Sequence, residues 1–159
     1  MGDWLVFSVF KRKTQIPKFE VDSPRLSITS SVQNLKALLE NAGVKYKVVN
    51  NGYIVFEGFI FNCDIPLMIG IHFNAVKIEF IEIFRPLEYY KSENYDINVS
   101  FAELSKVLHK RYGNPIVTTS ASINGYPCEQ WLTSDYIVNH YIMDRFGSEE
   151  HLHINFFKK

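Results

Sequence analysis

The stretch Ser100–Pro115, SFAELSKVLHKRYGNP, decides the fold. Ser100 and Glu103 read as a capping box, S-x-x-E, in which each side chain satisfies the other residue's backbone donor. Phe101, Leu104, Val107 and Leu108 then recur at helical spacing and define one apolar face. Lys106, Lys110 and Arg111 fall on the polar side or near the C-terminus, where cations complement the helix dipole. Tyr112-Gly113-Asn114-Pro115 stops the helix. An earlier segment, Ser31–Gly43, has the same grammar. Ser31 is the predicted N-cap, Val32, Leu35, Leu38, Leu39 and Ala42 form the apolar face, and Gly43 offers the left-handed conformation that ends a helix.

Each predicted helix is followed by segments with the two-residue period of strands. After the first come Val44–Val49, Tyr53–Phe61, Ile65–Asn74 and Val76–Phe84. Ile65, Leu67, Ile69, Ile71 and Phe73 share one face, with Pro66, Met68, Gly70, His72 and Asn74 on the other. In the fourth strand the phase slips at Ile81 and Ile83, which predicts a bulge or burial on both faces. After the second helix come Ile116–Ser122, Tyr126–Thr133, Tyr136–Arg145 and His151–Phe157. Asn51-Gly52 and Asn124-Gly125 are hairpin signals, because Asn and Gly tolerate the positive φ of tight turns.

Shifting the first helix by 69 positions lays Val32 on Phe101, Leu35 on Leu104, Leu38 on Val107 and Leu39 on Leu108. The chain therefore reads as a duplicated helix-plus-four-strand unit, with half-repeats at about 30–84 and 100–157 and a linker at 85–99. Short connections between strands imply an antiparallel sheet. The expected fold class is α+β: an antiparallel sheet with two packed helices, both on one face or one on each of two packed sheets. Residues 1–29 are an N-terminal segment and connector ahead of a single domain spanning 30–159, in keeping with a 159-residue chain.

Composition narrows the function. Lys+Arg and Asp+Glu are both 17, and the net charge is +0. Nucleic-acid binding draws on a basic surplus, so that class is disfavoured, and neutrality gives little protection against self-association. The apolar run Trp4–Phe10 precedes Lys11-Arg12-Lys13, the reverse of a secretory signal, and is too short to span a bilayer. Residues 1–13 could make a weak membrane-surface contact, but packing of their aromatics onto the domain is the preferred reading. Gly2 lacks the Ser or Thr at position 6 that myristoylation requires. Asn98-Val99-Ser100 is a formal glycosylation sequon without an export signal to use it. The expected localisation is cytoplasmic. Cys63 and Cys128 are then expected as ordinary buried thiols, with a disulfide between them as the alternative.

The search for chemistry finds none. No Gly-rich phosphate loop, nucleophile elbow or fixed metal-ligand spacing is present. His72, His140, His151 and His153 sit on candidate neighbouring strands with Asp144 near, but they read as structural, so no metal, cofactor or catalytic residue is expected. The carboxylate pairs Glu79 and Glu82, and Glu149 and Glu150, have no distinctive partner. The linker is the informative stretch. Phe84, Arg85, Tyr89, Tyr90 and Tyr95 are the predicted partner-binding residues, since Tyr and Arg are enriched at interface hot spots. A sheet face gathering His72, Tyr141, Met143, His151 and His153 is a second candidate surface. The sequence favours a non-catalytic protein-interaction module (adaptor, chaperone or inhibitor-like) whose partner is another protein. The alternative is a small-molecule or lipid-binding sensor with a pocket between helices and sheet.

Overall fold

A computed structural model describes residues 31–50, 52–61, 63–74, 77–92, 95–119, 125–144 and 147–157. Expectations for the N-terminal segment, including membrane contact and lipidation, lie outside these residues. The elements run α1 (Val32–Asn41), β1 (Tyr46–Val49), β2 (Tyr53–Gly58), β3 (Leu67–Asn74), β4 (Lys77–Phe84), α2 (Leu87–Tyr90), α3 (Ile97–Tyr112), β5 (Val117–Thr119), β6 (Cys128–Leu132), β7 (Tyr136–Asp144) and β8 (Ser148–Phe156). All eight strands form one antiparallel sheet in the order β1-β2-β3-β4-β8-β7-β6-β5. Each half is a meander, and the two meanders meet where β4 pairs with β8.

One face of the sheet is apolar and covered. Ile54, Phe56, Leu67, Ile69, Ile71, Ile81, Ile83, Val138, Leu152 and Ile154 point into a single core cluster, which also takes Leu35 and Leu39 from α1 and Leu104 and Leu108 from α3. Both helices therefore lie on the same face. Of the two arrangements the sequence leaves open, the single sheet with both helices on one face is the one that forms, and it buries the apolar side of the strands. Each of these leucines contributes roughly 1.5–3 kcal/mol by leaving water.

The phase slip in β4 is a bulge. Phe73 pairs with Ile78 and His72 with Phe80, so Glu79 has no opposite number. The extra residue lets Ile78 and Ile81 both reach the core while Glu79 stays exposed.

The helix starts differ from one another. Ser31 caps α1 as predicted, accepting from Asn34 N at 3.2 Å. The start of α3 is earlier than the sequence suggests. Its N-cap is Asp96, whose Oδ1 accepts from Asn98 N at 2.8 Å and Val99 N at 3.3 Å. Ser100 is thus inside the helix and buried, not a cap, and the predicted capping box does not form. The cause is burial: Ser100 is held by partners across the core, and its Oγ accepts from Arg85 Nε at 2.7 Å. The linker is correspondingly shorter and contains α2.

Both helices end at a glycine of positive φ, Gly43 at 68° and Gly113 at 78°, as their C-terminal signals require. The Gly113 carbonyl then accepts from Trp131 Nε1 at 2.9 Å, tying the end of α3 to β6. Cys63 and Cys128 are free thiols, so the alternative of a disulfide does not hold. Burial pushes the Cys128 thiol pKa up, with the neighbouring Glu129 charge adding to it. No helix among the described residues is long and apolar enough to cross a membrane.

Candidate functional site

Strand alternation sends the remaining residues to the face opposite the helices. Pairing brings Tyr53 opposite His72, His72 opposite Phe80, Glu82 opposite His153, and Tyr141 opposite His151. The result is a band of rings across the middle of the sheet. His72 stacks on Phe80 at 3.9 Å between centroids and on Tyr53 at 4.2 Å, and Tyr141 stacks on His151 at 5.4 Å. Gly70 makes room for the band: a Cβ there would lie 2.6 Å from the Tyr53 ring.

Four of the five gathered residues anticipated on this face belong to the band. His72, Tyr141, His151 and His153 share it, with Met143 opposite Glu149 farther along β7. His140 lies on the covered face, opposite Leu152, and Asp144 is engaged at the β7–β8 hairpin by Gly147 N at 3.3 Å. Glu82 has specific partners after all, contrary to the sequence reading: His72 Nε2 is 3.3 Å from its Oε2 and His153 Nε2 is 3.9 Å from its Oε1. Burial lowers the His153 pKa, opposed by Glu82 and reinforced by the His151 and His72 rings.

The linker closes one end of this face. Phe84, Arg85, Tyr90 and Tyr95 line a groove of about 700 Å³, together with Tyr53, Glu82, Leu87 and the β7–β8 hairpin from Gly147 to His151. Tyr95 Oη donates to the Ser148 carbonyl at 3.4 Å, which fixes the linker against the hairpin. The pKa of the Tyr90 phenol is pushed up to about 12, chiefly by burial, so it stays a neutral hydrogen-bond donor. Tyr89 is turned to a second hollow of about 610 Å³ bordered by Glu57, Pro66 and Glu103. Its ring still meets those of Tyr90 and Tyr95 edge-on, at 5.9 and 5.7 Å.

Arg85 behaves differently from its predicted neighbours. It is buried, and its guanidinium lies 4.6 Å above the Tyr89 ring. It donates to Ser100 Oγ, to the Ser100 carbonyl at 3.3 Å and to Glu103 Oε2 at 3.0 Å. Ser100 Oγ in turn donates to Glu150. Arg85 is thus spent on fixing the linker to α3 and β8.

Behind it, on the covered face, the polar chain continues. Glu150 Oε1 is 2.8 Å from His140 Nε2, and His140 Nδ1 faces Glu129 Oε2 at 3.6 Å. The His140 ring lies flat on Phe101 at 3.9 Å. Burial pushes the Glu129 pKa up, but hydrogen bonds from His140, His109 and Ser105 outweigh it and hold the carboxyl at about 2. Sequence reasoning missed this network. Its one signal is a charged residue on the apolar phase of each of the two strands that flank β7, Glu129 on β6 and Glu150 on β8.

Comparison with protein-family models, with curated proteins and with solved structures matches none of them to this chain.

Proposed function

We propose that this chain is a non-catalytic protein-interaction module of the adaptor, chaperone or inhibitor-like kind, and that the tyrosine groove receives its protein partner. The observation that carries this reading is the division of labour along the linker. Phe84, Tyr90 and Tyr95 present rings to an open groove, whereas the charged groups beside them, Arg85 and Glu150, are consumed by internal bonding. Aromatic groups with a polar tip supply contact area at low entropic cost, which suits an interface. The strand order, and the burial of Leu35 and Leu39 alongside Leu104 and Leu108, support reading the halves as two copies of one helix-plus-four-strand unit. The groove then belongs to the junction between copies.

A second reading rests on the groove's size. A volume of about 700 Å³ is within the roughly 300–1,000 Å³ range of small-molecule sites, so a small-molecule or lipid sensor is the alternative. It would use this groove and not the space between helices and sheet, which the core cluster fills.

Site-specific photo-crosslinking in cells separates them. A photoreactive residue at Leu87, exposed at the groove, is compared with one at Val99, exposed on α3. The interaction reading expects one protein adduct from position 87 that is absent from position 99 and lost with Tyr90→Ala/Tyr95→Ala. Equal adducts from both positions, or none, would sink it. A small molecule retained by the purified chain in native mass spectrometry would favour the sensor.

A further inference from the structure

We propose that Glu82, His151 and His153 form a binding site for a divalent transition-metal ion of the zinc class on the face of the sheet opposite α1 and α3. The proposal is independent of the groove reading, although Glu82 and His151 also border the groove.

The first support is convergence. One donor atom from each residue lies within 4.8 Å of the other two. Donors around a tetrahedral zinc ion stand about 3.3 Å apart, given metal–ligand bonds of roughly 2.0–2.1 Å. Small side-chain rotations close the difference, and the backbone is already placed, because Glu82 and His153 are directly opposed across the β4–β8 pair and His151 is two residues along β8.

The second support is what the imidazole nitrogens do. His151 Nδ1 and His153 Nε2 are buried and have no hydrogen-bond partner among the described residues. Buried polar atoms ordinarily find partners, and an unmet one calls for an explanation. Coordination of a cation by both nitrogens supplies it.

The third support is the outer ring of contacts. Each proposed ligand is held at its far end: His151 Nε2 lies 3.3 Å from Glu149 Oε2, His153 Nδ1 lies 3.4 Å from Tyr141 Oη, and Glu82 Oε2 lies 3.3 Å from His72 Nε2. Metal-binding histidines characteristically bond their second nitrogen to a carboxylate or similar group, which fixes tautomer and ring orientation. A chance gathering of surface histidines has no reason to show that pattern at all three members.

Donor chemistry sets the class of ion. Two imidazoles and one carboxylate suit zinc and its late first-row neighbours, not calcium or magnesium, which take oxygen ligands. Three protein ligands leave a tetrahedral ion one further position. The bound ion would clamp β4 to β8, the strands through which the halves are joined.

The test uses the untagged full chain, stripped with a chelator and titrated with Zn²⁺ by calorimetry and with Co²⁺ by visible absorption. The expected result is one equivalent of Co²⁺ with the intense visible bands of a tetrahedral site, displaced by Zn²⁺. His151→Ala and His153→Ala should each abolish that spectrum. Tyr141→Phe and Glu149→Gln should weaken Zn²⁺ binding about 10–100-fold while leaving the ligands in place. Cys63→Ser and Cys128→Ser should bind as wild type does. Should an alanine variant misfold, Glu82→Gln, which keeps the shape and removes the charge, serves in its place and should weaken binding at least tenfold. Absence of saturable binding, binding that survives loss of both histidines, or binding lost with a cysteine would overturn the proposal.

Discussion

His140 and His153 lie one strand apart in the same sheet, on β7 and β8, and their surroundings differ in almost every respect. His140 faces the helices, is fully buried, lies flat on Phe101 and has a carboxylate at each ring nitrogen. His153 faces away from the helices, is half-buried, and keeps one ring nitrogen unbonded beside Glu82 and His151. Residue type is the same and strand environment is nearly so. The face decides which imidazole is a structural rivet and which is free to bind. On the covered face a polar group must be fully paired, since an unmet buried charge costs several kcal/mol. On the open face the pairing of His151 Nδ1 and His153 Nε2 is left incomplete within the protein, although both atoms are buried.

The sharpest way to break this contrast is to unpair the covered side. Glu150→Ala removes the shared partner of His140 and Ser100 and leaves Arg85 with its charge less compensated in the core. Loss of one member of a buried ionic network costs about 3–5 kcal/mol. Urea denaturation should show the midpoint falling with little change in slope. A loss under about 1 kcal/mol would mean that the network is not coupled in the way its geometry indicates.

A middle-sized effect tests whether the open face is itself a packed surface. Gly70→Ala would place a Cβ 2.6 Å from the Tyr53 ring. Overpacking of this sort costs roughly 1–3 kcal/mol. Because Tyr53 also stacks on His72, the variant should shift the His72 ring resonances in NMR spectra. Tyr53→Leu in the same background should recover most of the stability. Indifference to Gly70→Ala would show that the ring moves freely, and the band would then be a loose collection of side chains.

These effects fall on features that the sequence reveals unequally. The helices α1 and α3 and the strands were legible because burial on one face imprints a period, as in Leu67, Ile69 and Ile71 on β3 or Leu104 and Leu108 on α3, whereas the four-residue α2 buries no residue and left no such period. The break of period in β4 was legible, and the pairing of β3 with β4 selects the bulge over burial on both faces. The true start of α3 was not, because Ser100 and Glu103 satisfy the capping pattern while their side chains are engaged by Arg85. A local motif cannot register a partner 15 residues away. The band of rings was partly legible: His72, His151, His153 and Tyr141 share the polar phase of their strands. The place of Glu82 among them was hidden, because it depends on β4 pairing with β8, and no local signal sets that strand order.

The smallest expected effect is the titration of His153 in the chelated protein. His153 has its pKa lowered from the ordinary 6.5, first by burial and then by the neighbouring imidazoles, with Glu82 opposing. The folded protein therefore resists protonating this ring more than the unfolded chain does. Its contribution to stability is present above pH 6.5 and is lost as the pH falls through the lower folded value, where the protein must take up the proton it excluded. NMR titration of the ring protons should place His153 below an unperturbed histidine. The stability difference between wild type and His153→Asn should narrow on acidification across the same interval. Glu82→Gln removes the one opposing influence and should move the titration lower still. A shift upward instead would mean that Glu82 holds His153 as a closed ion pair, and the open face would then resemble the covered one.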